Sequence, residues 1–134
     1  MRIFFILSLF FHTLFAVDDL DNALRLYEGN KFVKAYEIFE RLCEKDNARA
    51  CYKLGFLYER GELVRQNLKS ALAFYSKSCT LGFAEACYLI GRYYELEKKD
   101  LKKAKRYLGM ACDKKHQEAC AAYRKLNSQD IEIY

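Results

Sequence analysis

The chain has 134 residues, 52% of them apolar and 31% charged, with a formal net charge of +5. That is an ordinary globular composition, and it excludes a chain too polar to bury a core. There is no proline and there are six cysteines, which fits an almost wholly helical chain with short connections.

At the N-terminus, Arg2 precedes an apolar run from Ile3 to Phe15 that is broken only by Ser8, His12 and Thr13. The run ends at Ala16, ahead of Val17-Asp18-Asp19. This is the pattern of a secretory signal peptide over residues 1–16, with cleavage between Ala16 and Val17. The run is short for a membrane span, which needs about 20 residues. An uncleaved anchor is the alternative, and Leu14 is larger than the residue usual near such a cut. No cysteine stands at the cleavage position to carry a lipid. After cleavage the expectation is an exported, secreted or periplasmic chain with no stable membrane insertion.

The segment 17–31 reads as a leading helix and turn, because Leu20, Leu24 and Tyr27 recur at helical spacing between Asp19 and Glu28. Three similar units then follow, at about 32–66, 67–99 and 100–127. Ala35, Phe39 and Cys43 recur as Ala71, Tyr75 and Cys79, and again as Ala104, Leu108 and Cys112. Each first cysteine is answered by an Ala-Cys dipeptide, at Ala50-Cys51, Ala86-Cys87 and Ala119-Cys120. The period is 36 residues from Cys43 to Cys79 and 33 from Cys79 to Cys112. Periods of this size mark solenoids built from one supersecondary unit per repeat.

Within each unit the pattern predicts two helices. Ala35, Ile38, Phe39, Leu42 and Cys43 form one apolar stripe, reproduced by Ala104, Tyr107, Leu108, Ala111 and Cys112. Leu101 falls on the inward side of that last stripe, and the neighbouring lysines fall on the outward side. A short polar break follows each first cysteine, and Gly82 suits a left-handed helix end there. The second helix carries the second cysteine, with Leu54, Leu57 and Tyr58 on one face. The tail 128–134 is expected to fray.

Each cysteine pair encloses seven residues. Along one helix, residues eight apart are separated by about 12 Å, whereas a disulfide needs Cα atoms within about 7 Å. The chain must therefore reverse between the two cysteines of a bonded pair. Six cysteines allow 15 connectivities, and the repeat selects Cys43–Cys51, Cys79–Cys87 and Cys112–Cys120. Zinc is the rival reading, but its cysteine ligands usually stand two to four residues apart. Redox catalysis normally shows a C-x-x-C motif, which is absent. The cysteines are read as structural, in an oxidising compartment, with no metal and no cofactor.

The series Tyr58, Gly61, Val64, Lys69, Ala71, Tyr75, Cys79, Gly82, Ala86, Cys87, Gly91, Tyr94 resembles the Sel-one-like repeat, a relative of the tetratricopeptide repeat. With a cysteine pair in each unit and a signal peptide, the chain resembles the Helicobacter cysteine-rich protein family over about residues 20 to 127. Leu63 stands where that pattern usually has a second glycine, and Asn67 where it has aspartate. The resemblance implies an all-α fold, a right-handed α-solenoid of disulfide-bridged helix pairs, with the leading helix packed on the first pair.

The resemblance also implies β-lactam binding or weak β-lactamase activity, a claim attached to members of the family. The residues supply no known mechanism for it. No serine is followed three residues later by lysine, and the S-D-N and K-T-G motifs are absent. After cleavage His116 is the sole histidine, too few for a histidine-rich zinc site. Ser76 and Lys77 are adjacent in sequence, but successive helix residues do not face one another. His116 reads as a solvated turn residue.

The reading therefore leans away from an enzyme and toward a scaffold for a protein or peptide partner, since solenoids present extended concave surfaces. Positions that vary between units, on the flank of the first-helix stripes, are the candidate groove: Tyr36 and Glu40, Leu72 and Ser76, Lys105 and Gly109. The competing reading makes them ordinary surface positions or contacts between repeats. Tyr52 and Tyr88, which follow the second cysteines, are assigned to packing. Lys98, Lys99, Lys102, Lys103, Lys105 and Arg106 cluster near the third unit as a solvated face or a contact for an anionic surface. No nucleic-acid partner is expected, because no recognised binding motif is present.

Overall fold

The computed structural model describes residues 19–131. The expected signal segment 1–16 and its cleavage site at Ala16 and Val17 lie outside the described residues. Helix α1 spans 19–28. It is followed by α2 (Phe32–Glu44), α3 (Ala48–Arg60), α4 (Leu68–Thr80), α5 (Ala84–Leu96), α6 (Leu101–Asp113) and α7 (Gln117–Ile131). No strand occurs among the described residues. Each helix packs chiefly on its neighbours in sequence, α3 on α4 and α5 on α6 most extensively. That nearest-neighbour stacking is the organisation of a solenoid.

The amphipathic stripes explain why these segments are helices. Ala35, Phe39, Leu42 and Cys43 are buried on α2, Ala71, Tyr75 and Cys79 on α4, and Ala104, Leu108 and Ala111 on α6. The starts of α3, α4 and α6 are set by side chains that accept from backbone N–H groups three residues on. Asn47 accepts from Ala50 at 3.0 Å, Asn67 from Ser70 at 3.1 Å and Asp100 from Lys103 at 3.0 Å. Such a cap contributes about 1 kcal/mol, and Asn67 makes the same bond as the aspartate. The chain turns between paired helices through a left-handed residue. Gly82 fills this position with φ 95°, while Asp46 and Lys115 hold it at 63° and 64° in the flanking units.

The three disulfides close the turns. Each joins the penultimate residue of one helix to the fourth residue of the next. The Cα–Cα distances are 4.7 Å for Cys43–Cys51, 4.7 Å for Cys79–Cys87 and 4.5 Å for Cys112–Cys120.

The core forms two clusters. One unites Ala23 of α1 with Phe39, Leu42, Leu54 and Leu57; the other unites Tyr75, Ile90, Leu108 and Leu126. Aromatic pairs seam the repeats together at matching positions. Tyr58 stacks on Phe74 and Tyr94 on Tyr107, at centroid distances of 5.4 and 5.8 Å. Tyr52 meets Phe83 at 5.0 Å and Tyr88 meets His116 at 4.5 Å. Tyr52 and Tyr88 are thus contacts between repeats.

Three expectations are corrected. Leu101 is exposed, not inward: as the first residue of α6 it overhangs the edge, while Ala104 and Leu108 below it are fully buried. The segment from Ser128 to Ile131 is the last turn of α7. His116 is not solvated. Its Nδ1 accepts from Ala119 N–H at 3.2 Å, and its Nε2 lies 2.7 Å from Glu85 Oε2. Nδ1 as acceptor makes Nε2–H the donor to Glu85. One imidazole therefore caps α7 and ties it to α5.

Candidate functional site

A concavity lies where α4 and α5, the central disulfide-closed pair, meet the end of α3. Leu68, Leu72 and Tyr75 follow one another at helical spacing on α4, and Leu89, Arg92, Tyr93 and Leu96 do so on α5. Together with Glu59 and Glu97 they line a cleft of about 230 Å³. A second recess of about 420 Å³ shares Glu59, Leu68, Tyr93 and Glu97 and adds Gln66 and Lys98. Leu68 and Leu96 are 47% and 49% exposed, an unusual degree for leucines that line a cleft.

The floor is fixed by a charge-assisted hydrogen bond. The buried Tyr75 hydroxyl donates to Glu59 Oε2 at 2.6 Å. Burial, then the bond to Glu59 and its charge, hold the Tyr75 phenol well above the ordinary tyrosine range. It stays neutral and keeps the carboxylate in place at the rim. Arg92 pairs with Glu95 one turn on. The cleft is therefore apolar inside with Glu59 and Glu97 at its mouth. It can hold an apolar side chain that carries a positive neighbour.

The six groove positions read from the sequence are not brought into one cleft; of them, Leu72 alone lines this one. The Tyr36 hydroxyl sits 3.2 Å from that of Tyr58 and 3.5 Å from Glu40 Oε1. The bond to Tyr58 and burial hold the Tyr36 phenol well above its usual range. Ser76 and Lys105 are half-buried on α4 and α6. Gly109 faces Tyr123, whose ring would meet a Cβ there at 3.3 Å. Lys77 turns to the preceding repeat, with Nζ 2.7 Å from the Cys43 carbonyl oxygen and 3.4 Å from Asp46. Among the described residues no group of three or more His, Cys, Asp or Glu side chains is placed to hold a metal ion.

Sequence reasoning missed Leu68, Leu89, Tyr93 and Leu96. The signal for Leu68 was an apolar residue three positions before the alanine of each core stripe, at Phe32, Leu68 and Leu101. In the first unit Tyr27 of α1 meets Phe32 edge-on at 5.3 Å, so the same register position is half-buried there and exposed in the second.

A family model for the Sel1 repeat matches residues 48–83 and 84–116. The chain belongs to the Sel1 repeat family. Each matched Sel1 unit runs from the second helix of one disulfide-closed pair through the first helix of the next, the two packings that are most extensive here. Among solved structures, Helicobacter pylori cysteine rich protein B is 27% identical, with a TM-score of 0.69, over 75% of this chain and 79% of that one. A Sel1 repeat protein from Oxalobacter formigenes is 21% identical, with a TM-score of 0.72, over 93% and 99% of the two chains. The protective antigen c5321 of uropathogenic Escherichia coli, which displays the same fold, is 19% identical with a TM-score of 0.72. That match covers 85% of this chain and 26% of the antigen. No curated protein matches the chain. The fold is thus an α-solenoid of Sel1 repeats with a disulfide in each helix pair.

Proposed function

We propose that this Sel1 chain is an exported, disulfide-closed scaffold that binds an extended segment of a protein partner through the cleft between α4 and α5. The observation that carries the reading is the set of Leu68, Leu72, Leu89, Tyr93 and Leu96 around an open cleft with two carboxylates, Glu59 and Glu97, at its mouth. Burying one leucine-sized side chain there contributes about 1.5–3 kcal/mol, and a lysine or arginine beside it meets the carboxylates. Leu72 is the groove position on which the reading rests. Placement outside the cytosol is supported by three disulfides, which persist in oxidising compartments, and by the signal-like pattern at residues 1–16. No observation favours β-lactam hydrolysis as a second reading.

The test is a peptide-display selection on the oxidised protein, followed by affinity measurement of the enriched peptides. The expected consensus is a leucine or aromatic residue next to lysine or arginine. Leu72→Asp should weaken those peptides roughly ten-fold or more, from the lost burial alone. Leu81→Asp, on the other edge of α4, should leave them unchanged. Enrichment with no such consensus, or affinity indifferent to Leu72→Asp, removes the cleft from the account.

A further inference from the structure

We propose that the solenoid edge formed by the α3–α4 and α5–α6 connections docks on an anionic lipid surface. Among the described residues the four most exposed large apolar side chains, Val33, Leu68, Leu96 and Leu101, are 59%, 47%, 49% and 42% exposed. Leu68, Leu96 and Leu101 stand at helix ends on this edge, at the starts of α4 and α6 and at the end of α5, and Val33 stands at the start of α2, beside the α1–α2 connection. Single exposed leucines are ordinary on a protein surface, but several gathered on one side need an occupant. Leu68 and Leu96 line the same cleft, and the short loop 97–100 leads from Leu96 to Leu101.

The charge around these leucines selects the occupant. Between residues 97 and 106 there are six basic side chains and two carboxylates, Glu97 and Asp100. Asp100 is engaged by the cap of α6 and by Lys103 at 3.9 Å. Lys98, Lys99 and Lys102 are exposed and pair with no carboxylate among the described residues. Lys98 lies over the Tyr93 ring at 5.8 Å. Leu101, with exposed lysines on both sides of it in sequence and Leu96 and Tyr93 at the end of α5, matches the boundary between acyl chains and anionic headgroups. No helix among the described residues is long and apolar enough to cross a membrane, so the contact is peripheral. Each lysine near such a surface contributes about 1 kcal/mol, and the leucines add apolar burial.

Leu68 and Leu96 are shared with the peptide cleft, whereas Lys99, Leu101 and Lys102 line neither recess, so variants at these three test the lipid contact by itself. The experiment is co-sedimentation of the oxidised chain from Val17 onward with phosphatidylcholine vesicles, with and without phosphatidylglycerol, over a range of salt. Binding is expected to the anionic vesicles only, and to weaken with salt. Two lysines at about 1 kcal/mol each correspond to roughly thirty-fold, so the double variant Lys99→Gln, Lys102→Gln should lose about that factor. Leu101→Ser should lose about ten-fold. Leu81→Ser with Lys114→Gln, on the opposite edge, should bind as the parent does. Circular dichroism and the non-reducing disulfide pattern check that each variant is folded. Equal binding to neutral vesicles, equal loss from the opposite-edge variant, no binding, or capture by soluble polyglutamate in place of vesicles would each overturn the proposal.

Discussion

Gly91 of α5 lies flat against Leu108 of α6: a Cβ on the glycine would meet Leu108 Cγ at 2.7 Å and the Leu108 backbone nitrogen at 3.1 Å. Gly55 stands in the same relation to Tyr75, at 2.6 Å from its ring. The missing side chain lets the second helix of one pair approach the first helix of the next, which is where the packing is most extensive. Gly91→Ala should therefore cost about 1–3 kcal/mol as overpacking of a closed core. Thermal or urea unfolding measures it. Gly109→Ala, with its nearest neighbour at 3.3 Å on the Tyr123 ring, should cost less, and equal costs would contradict the account.

Replacing Cys79 and Cys87 together by alanine opens the central pair. By loop-closure entropy the loss is about 2–3 kcal/mol, which urea unfolding of the two proteins would read. The turn should keep its shape in the variant, because Gly82 supplies the left-handed residue without the bond. Non-reducing peptide mapping of the parent should return three bonds, each within one turn; a bond between different pairs would refute the arrangement.

The pairing of Tyr75 with Glu59 gives stability a pH dependence. The phenol ordinarily loses its proton near 10.0, and in the folded chain burial and the bond to Glu59 raise that value. Above pH 10 the unfolded chain releases a proton that the folded chain retains, so stability is full below that pH and declines as pH rises above it. Tyr36, held high by its bond to Tyr58 and by burial, adds a decline of the same sign. The melting temperature of Tyr75→Phe should fall less steeply than the parent's between pH 9.5 and 11, roughly the span in which free tyrosine titrates. Parallel curves would remove Tyr75 from the explanation.

His116→Ala removes the cap of α7, the bond to Glu85 and the stack on Tyr88 together. Loss of a cap costs about 1 kcal/mol and loss of a half-exposed hydrogen bond about another. Hydrogen exchange of the α7 amides should quicken more than that of α2 and α3. His116→Asn, which keeps a capping acceptor, should recover part of the protection.

The sequence by itself determined the repeat, the helix pairs and the pairing of the cysteines. Those are matters of local period: a stripe at 3.6 residues and a fixed interval of eight between cysteines. Ala35, Phe39, Ala71, Tyr75, Ala104 and Leu108 are in the core where the stripe puts them. Only the tertiary structure decided which positions beside the stripe are covered. Phe32 is partly covered by Tyr27 of α1, Gly109 by Tyr123 and Tyr36 by Tyr58, while Leu68 and Leu101 at the register of Phe32 stay exposed. The same holds for His116, whose role depends on Glu85 and Tyr88 in the preceding repeat. The physical reason is that helical period fixes a residue's angle on its own helix, whereas burial depends on which neighbouring helix reaches that angle, and by how far.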